Sequence, residues 1–296
     1  MITVRTVVEL RAALAPERRA GHTIGLVPTM GALHDGHLSL LRVARQGNDV
    51  VVMSLFVNPA QFNDSADLAA YPRDEQRDAE LAADEGVDIL FAPPVEEVYP
   101  DGFAATVTVS GLTETLEGAQ RGRGHFDGVT TVVTKLFNMV APDVAYFGQK
   151  DAQQVAVIRR LVRDLDVALR IEVCPTIREP DGLALSSRNA LLSPADRQRA
   201  TALSHALQAA QTAIDEGERD PATIAGRART ELTEAEIEPE YFELVDAHTL
   251  EPVSEIDGDM LAVVAARVGT TRLIDNQPLS TVASDGGKHV LIKGRT

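Results

Sequence analysis

Leu26-Val27-Pro28-Thr29-Met30-Gly31-Ala32-Leu33-His34-Asp35-Gly36-His37-Leu38-Ser39-Leu40-Leu41 is the stretch from which the fold is read. A short apolar strand over 23–27 runs into a turn with proline and glycine. His34 and His37 follow, and then a helix whose apolar face is Leu38, Leu41 and Ala44. The first N–H groups of a helix have no intrahelical partner, and the helix dipole favours negative charge there. A strand that turns through glycine into a helix is therefore a ready anion site. Two imidazoles add donors that are neutral or cationic near neutral pH, and Gly31 and Gly36 permit close approach of backbone to a ligand. The working expectation is a nucleotide phosphate. Two other readings stand beside it: helix-start histidines satisfied by backbone groups, and an H-x-x-H metal pair without a third ligand nearby.

Outward from this stretch, β and α patterns alternate. Residues 4–20 read as an amphipathic helix. Residues 49–57 (DVVVMSLFV) form a near-continuous apolar strand, as expected when both faces are buried in a parallel sheet. The spacing then predicts a helix over 73–85, a strand over 87–92, a strand of different orientation over 105–110 and a glycine- and arginine-rich loop over 118–128. A helix over 129–140, a strand over 144–147, a helix over 151–165 and a strand over 168–173 complete the series. This alternation argues for a doubly wound, Rossmann-like α/β domain over residues 1–176, with ligands beyond the carboxyl ends of its strands. Texture then changes. An Ala-rich helix over 194–214, a second over 222–233, and strands over 241–246 and 260–268 describe a smaller α+β domain over 177–282. Residues 283–296 read as a loose polar tail.

Composition limits the possibilities. The 296 residues hold 28 Lys plus Arg against 44 Asp plus Glu, a formal charge of −16. That balance is a poor match for a nucleic-acid backbone, though a few local cations suffice for a small anion. A lone cysteine, Cys174, excludes a disulfide framework. No apolar run approaches membrane-spanning length and no signal-peptide pattern is present. The expectation is a soluble cytoplasmic protein with small-molecule partners and neither nucleic acid nor membrane.

Three further constellations stand out. Gly148-Gln149-Lys150-Asp151 leaves a strand end, where a lysine reaches phosphate as a point charge and Asp151 caps the next helix; a cap beside a solvated lysine is the plainer account. Pro180-Asp181-Gly182 is a turn signal, and Leu185-Ser186-Ser187-Arg188 after it offers hydroxyls and a guanidinium suited to phosphate; the plainer account is an interdomain turn. Asn58-Pro59-Ala60-Gln61 places two amides at a strand end, where they can hold a carboxylate and hydroxyls, or simply form a proline-kinked loop.

Taken in order, P-T-M-G-A-L-H-D-G-H, F-V-N-P-A-Q-F, Y-P-R-D at 71–74, G-H-F-D-G-V at 124–129, G-Q-K-D-A-Q-Q and L-S-S-R-N closely resemble the pantoate–β-alanine ligase family, over about residues 22 to 276. The first motif is also similar to the HxGH signature of the wider nucleotidyltransferase superfamily, shared with class I aminoacyl-tRNA synthetases. The family resemblance implies ATP- and magnesium-dependent joining of pantoate to β-alanine through a pantoyl adenylate, and a homodimer. It implies that Met30, Gly31, Ala32, Leu33, His34, Asp35, Gly36 and His37 line the ATP site, with His34 and His37 on the phosphates and His37 the proposed proton donor. Gly148, Gln149, Lys150 and Asp151 would hold nucleotide, with Lys150 on phosphate. Ile177 would lie on the adenine side. Leu185, Ser186, Ser187 and Arg188 would close over the phosphates from the domain junction. Gln61 and Gln154 would bind pantoate, Gln61 also β-alanine, and Val132, Val133 and Leu136 would pack on pantoate's methyl groups. Magnesium is expected on the phosphates, with no protein ligand assigned. The chain departs from the family pattern at Gln149, Ala152 and Leu185, where Glu, Tyr and Met are usual. Rival readings are a nucleotidyltransferase that stops at a nucleotide conjugate, a tRNA synthetase-like protein, and a non-catalytic nucleotide sensor.

Overall fold

The computed structural model of the chain describes residues 1–63 and 65–281. The expected tail at 283–296 lies outside the described residues. Two compact units are present, one spanning Met1–Ala190 and one beginning at Leu191. The division therefore falls after Ala190 rather than after residue 176, and 177–190 belong with the first unit.

The first unit begins with β1 (Ile2–Val4) and α1 (Val7–Ala20). Thr6 caps α1 with its hydroxyl while Glu9 reaches back to the cap backbone, so two orphan donors are satisfied reciprocally. Leu10 and Leu14, one helical turn apart, are fully buried, worth about 1.5–3 kcal/mol each. Next come β2 (Ile24–Thr29), α2 (Asp35–Gly47), β3 (Val50–Leu55), α3 (Ser65–Ala70), α4 (Glu75–Asp84), β4 (Ile89–Phe91) and α5 (Val95–Val98). Then follow α6 (Glu117–Arg121), α7 (Arg123–Val140), β5 (Val144–Gly148), α8 (Ala152–Asp164) and β6 (Arg170–Cys174).

The six strands pair in the order β1-β4-β3-β2-β5-β6, all parallel. This is the doubly wound α/β sheet that the alternation predicts. One apolar cluster joins α1, α7 and α8 to one set of strand side chains. A second joins α2 and α4 to the other. Both faces of β3 are thereby buried, which is why its sequence is apolar without alternation.

Two expected features are corrected. Residues 105–110 form no strand: the Val107 N–H donates to Thr131 Oγ1 at 3.0 Å, and the Val107 carbonyl accepts from Thr130 Oγ1. The backbone there finds its partners on α7 instead of on another strand. Residues 118–128 are mainly helical, not a loop. Glu117 and Arg121 pair across one turn of α6 at 2.8 Å, and Phe126 extends the buried stripe of α7 toward its start.

The second unit contains α9 (Pro194–Arg199), α10 (Ala202–Asp215), α11 (Pro221–Glu234), β7 (Pro239–Asp246), β8 (Met260–Val268) and β9 (Thr271–Leu279). The helix expected over 194–214 is two helices, and β9 is a strand beyond those expected. The three strands form an antiparallel meander, and α10 and α11 pack on each other and on it. This is the small α+β fold expected of the second domain.

Candidate active site

In an open parallel sheet, ligands bind where neighbouring strands send their connections to opposite sides. Here that point lies between β2 and β5, which pair at Gly25–Val144 and Leu26–Ala145. The carboxyl end of β2 leads into Met30–His34 and α2. The carboxyl end of β5 leads into the 3₁₀ turn Gln149–Asp151 and α8. Two sequence motifs far apart in the chain thus become neighbours.

The β2 exit is held from below by Asp78 of α4, whose side chain is only 1% exposed. Its two carboxylate oxygens accept from the Ala32 and Leu33 N–H groups, each at 2.8 Å. Gly31 has φ +86°, and a Cβ there would stand 2.8 Å from Asp78 Oδ2 and from Leu55 Cδ1. Only glycine takes this turn without strain. Arg77 adds a bond to the Leu33 carbonyl at 3.2 Å.

His34 and His37 form a reciprocal cap at the start of α2. His34 Nδ1 accepts from the Gly36 N–H at 3.1 Å, and His37 Nδ1 faces the His34 N–H at 3.4 Å. Their ring centroids are 4.1 Å apart. With Nδ1 accepting, each neutral ring carries its proton on Nε2 and remains a donor there. Burial, and then the neighbouring His34, push the His37 pKa down to about 3. His34 is lowered too, first by burial and then by Lys150. Both rings are therefore neutral donors at neutral pH in the free protein. Lys150 and Asp151 act electrostatically on both histidines, so the junction of the two strand ends is electrostatically one site. Asp151 stands at the N-cap position of α8 without a capping bond from its side chain, contrary to the expected cap. It lies 3.9 Å from Lys150 Nζ.

Ile177 and Leu185 are joined by a tight antiparallel turn. The Leu185 N–H donates to the Ile177 carbonyl at 2.9 Å, Arg178 bridges Ala184, and Gly182 takes φ +93°. The Pro180-Asp181-Gly182 signal is realised in this turn. Ser186 Oγ then accepts from the Arg188 N–H at 3.2 Å in the 3₁₀ turn Ser187–Leu191. Arg188 keeps exposed surface yet is flanked by protein. The resulting desolvation, followed by the charge of Arg121, lowers its guanidinium pKa, while Asp151, Glu117 and Tyr71 act in the opposite sense. Arg188 therefore faces the same electrostatic neighbourhood as Lys150 and Asp151, entirely within the first unit.

Gln61 lies on the 3₁₀ turn Pro59–Gln61 beyond β3. Its Nε2 approaches Met30 Sδ at 3.0 Å, which ties it to the β2 loop. Asn58, 1% exposed, donates from Nδ2 to Gln61 Oε1 and to the Gly128 carbonyl, both at 3.1 Å. His125 Nδ1 lies 2.9 Å from the Gln61 carbonyl. A Cβ on Gly128 would stand 2.2 Å from the Ala60 carbonyl oxygen, so α7 approaches this turn only because residue 128 is glycine. Gln154 is partly exposed on the first turn of α8, beside Gln153, whose buried amide bonds to Leu112, Thr115 and Glu117. Val132, Val133 and Leu136 are core residues, 6%, 4% and 3% exposed.

Sequence reasoning passed over Asp78, Tyr99, Arg121 and His125 as individuals. The signal for Asp78 was an acid on the buried face of α4, in line with Ala82 one turn later. Arg121 and His125 sat inside a stretch read as loop. Of the three departures from the family pattern, Ala152 is buried at the start of α8, and Leu185 makes its pairing through the main chain.

Neutral imidazoles beside Lys150 at a strand-switch point define the class: a doubly wound α/β protein whose strand ends present donors of the kind that suit an anion. The family model described as pantoate-beta-alanine ligase matches residues 2–278, and the chain belongs to that family of enzymes. The pantothenate synthetase of Moorella thermoacetica is 54% identical over 277 residues, covering 93% of this chain and 98% of the relative. That of Koribacter versatilis is 51% identical over 291 residues, covering 97% and 99%. Among solved structures, pantothenate synthetase from Thermus thermophilus superposes with a TM-score of 0.88 at 48% identity, covering 94% of this chain and 99% of that one. The pantoate-beta-alanine ligase of Francisella tularensis, solved with beta-gamma ATP and beta-alanine, superposes at 0.76 with 34% identity, covering 94% and 97%.

Proposed function

We propose that this chain condenses pantoate with β-alanine at the expense of ATP, giving pantothenate, AMP and diphosphate. The observation that carries the reading is the meeting of His34 and His37 with Lys150 at the β2–β5 switch point, beside the Gln61 amide. A free carboxylate is a poor acyl donor. In the first step the pantoate carboxylate attacks the α-phosphorus, the bond to the β-phosphate oxygen breaks, and diphosphate leaves. In the second step the neutral amine of β-alanine attacks the acyl carbon, the acyl–phosphate bond breaks, AMP leaves, and the nitrogen gives up one proton to water as the amide forms. Phosphoryl-type transfer is served mainly by positioning and charge neutralisation.

Met30 to His37 and Gly148 to Asp151 hold the nucleotide in this reading. The Nε2–H groups of His34 and His37 donate to phosphate oxygens, and Lys150 and Arg188 supply the positive charge that the neutral imidazoles do not. An arriving polyphosphate favours the charged imidazole, so proton donation by His37 belongs to the complex rather than to the free protein. Ser186 and Ser187 add hydroxyl donors, and Ile177 and Leu185, paired in their turn, flank the base. Gln61 and Gln154 take pantoate, Gln61 also meets β-alanine, and Val132, Val133 and Leu136 offer an apolar wall to the methyl groups with the little surface they retain. Among the described residues no group of three His, Cys, Asp or Glu is placed to hold a metal. In this reading magnesium enters with its nucleotide, ligated mostly by phosphate and water, because it sheds water reluctantly. Among the described residues no helix is long and apolar enough to cross a membrane. A cytoplasmic homodimer completes the proposal.

The test mixes purified protein with MgATP, pantoate and β-alanine and identifies the nucleotide product. AMP that appears only when both acids are present is the expected result. ADP, or AMP formation indifferent to β-alanine, overturns the reading.

A further inference from the structure

The proposed reaction requires Gln61 to present one end of its amide to an acid substrate, and the inference below rests on that reading. We propose that Tyr99 is a positioning residue for the Gln61 amide, acting through Asn58 to keep the NH₂ end of Gln61 turned toward the substrate.

The hydrogen bonds around Asn58 leave it one orientation. Its Oδ1 accepts from the Ala60 N–H at 3.2 Å and from the Tyr99 hydroxyl at 2.8 Å. Its Nδ2 donates to the Gly128 carbonyl and to Gln61 Oε1, each at 3.1 Å. A backbone N–H only donates and a backbone carbonyl only accepts, so turning the Asn58 amide over would set like against like at both ends. Two lone pairs and two amide hydrogens are then all engaged inside the protein. Asn58, a residue whose amide the sequence offered as a carboxylate ligand, has no bonding capacity left for one. Its role passes to Gln61. Because Asn58 Nδ2 takes Gln61 Oε1, the Nε2 end of Gln61 is the one left facing Met30 Sδ at 3.0 Å. A thioether is a weak acceptor, readily exchanged for a carboxylate or hydroxyl oxygen of a substrate.

Tyr99 is well made for this task. Burial pushes its phenol up to about 12, so the hydroxyl remains a donor throughout the working range. Its ring is held between Phe56, with centroids 6.1 Å apart, and Phe103, at 5.1 Å. The Phe103 ring in turn lies under Lys135 Nζ at 4.6 Å. Tyr99→Phe therefore removes the donor and leaves the ring packing.

Steady-state kinetics of Tyr99→Phe provide the test. The expected result is a rise of about three- to tenfold in KM for pantoate, the scale of one hydrogen bond, with KM for ATP essentially unmoved and the melting temperature lowered by no more than a few degrees. The same substitution placed in a Gln61→Ala background should then have no further effect on pantoate KM, because the group it orients is gone. An unchanged pantoate KM in Tyr99→Phe, or a full effect that persists in Gln61→Ala, overturns the inference. The unmodified chain is assayed alongside: if it forms no AMP from the two acids, the proposed function fails and this inference with it. Normal turnover with an unmoved KM in Tyr99→Phe removes only the inference.

Discussion

His37 has a protonation state set by its surroundings rather than by its own chemistry. Its folded pKa is about 3, whereas an unfolded histidine titrates near 6.5. Between those values the unfolded chain binds the extra proton and the folded chain does not. Stability is therefore fully present above about pH 6.5 and declines as pH falls toward 3, by up to about 1.4 kcal/mol per pH unit for one such group. His34 and His125 are depressed as well, burial being the first cause in each, so they act in the same sense. Asp49, lowered by its hydrogen bonds from Thr23, acts only in the more acid carboxylate range. Urea denaturation between about pH 7 and 5 isolates the histidine contribution. His37→Asn, which can retain an acceptor for the His34 N–H, should flatten that pH slope, and an equally steep slope would refute the account. The position of His34 and His37 was legible in the sequence, since spacing and the glycine turn place them at a helix start. Their neutrality was not, because it depends on burial, on the two rings facing each other and on Lys150, which the fold brings in from the end of the neighbouring strand β5.

At the scale of elements, the connection from β2 to α2 is shaped by α4. Asp78 neutralises two backbone donors that the glycine turn leaves without partners, and it does so from a helix that contributes nothing to the sequence motif itself. Asp78→Ala should cost about 1–3 kcal/mol for each N–H left buried and unpaired. It should also raise KM for ATP more than KM for β-alanine, since the loosened segment is the one assigned to the nucleotide. Thermal unfolding and paired kinetic titrations check both parts; a destabilised variant with an unchanged ATP KM would show that the anchor serves stability alone. The strands and helices around this loop were readable because apolar runs and turn residues are local. Residues 105–110 were misread as a strand because Thr130 and Thr131 of α7, not a neighbouring strand, satisfy the backbone at Val107. Residues 118–128 were misread as a loop because glycine content outweighed the Glu117–Arg121 pair and the Phe126 stripe. β9 escaped notice because its buried positions include Asp275 and Asn276, on opposite faces of the strand, which do not read as core.

For the whole molecule, the informative boundary is the one after Ala190. Composition changes near residue 176, where Cys174 ends β6, and sequence texture therefore set the domain limit there. The tight turn that pairs Ile177 with Leu185 is not visible as texture, yet it carries Ser186, Ser187 and Arg188 in the same unit as His34, His37 and Lys150. The proposed phosphate contacts then need no residue beyond that unit. Both hydrophobic clusters of the parallel sheet also consist wholly of residues up to Cys174. A fragment ending at Ser193, which preserves the whole 3₁₀ turn Ser187–Leu191, should consequently fold on its own and unfold cooperatively. Titration calorimetry with a non-hydrolysable ATP analogue should give it an affinity within about tenfold of the full chain, a difference of about 1.4 kcal/mol. A fragment that melts cooperatively but binds the analogue far more weakly would place part of the nucleotide affinity in the residues from Leu191 onward, and the assignment of the phosphate contacts would have to be redrawn.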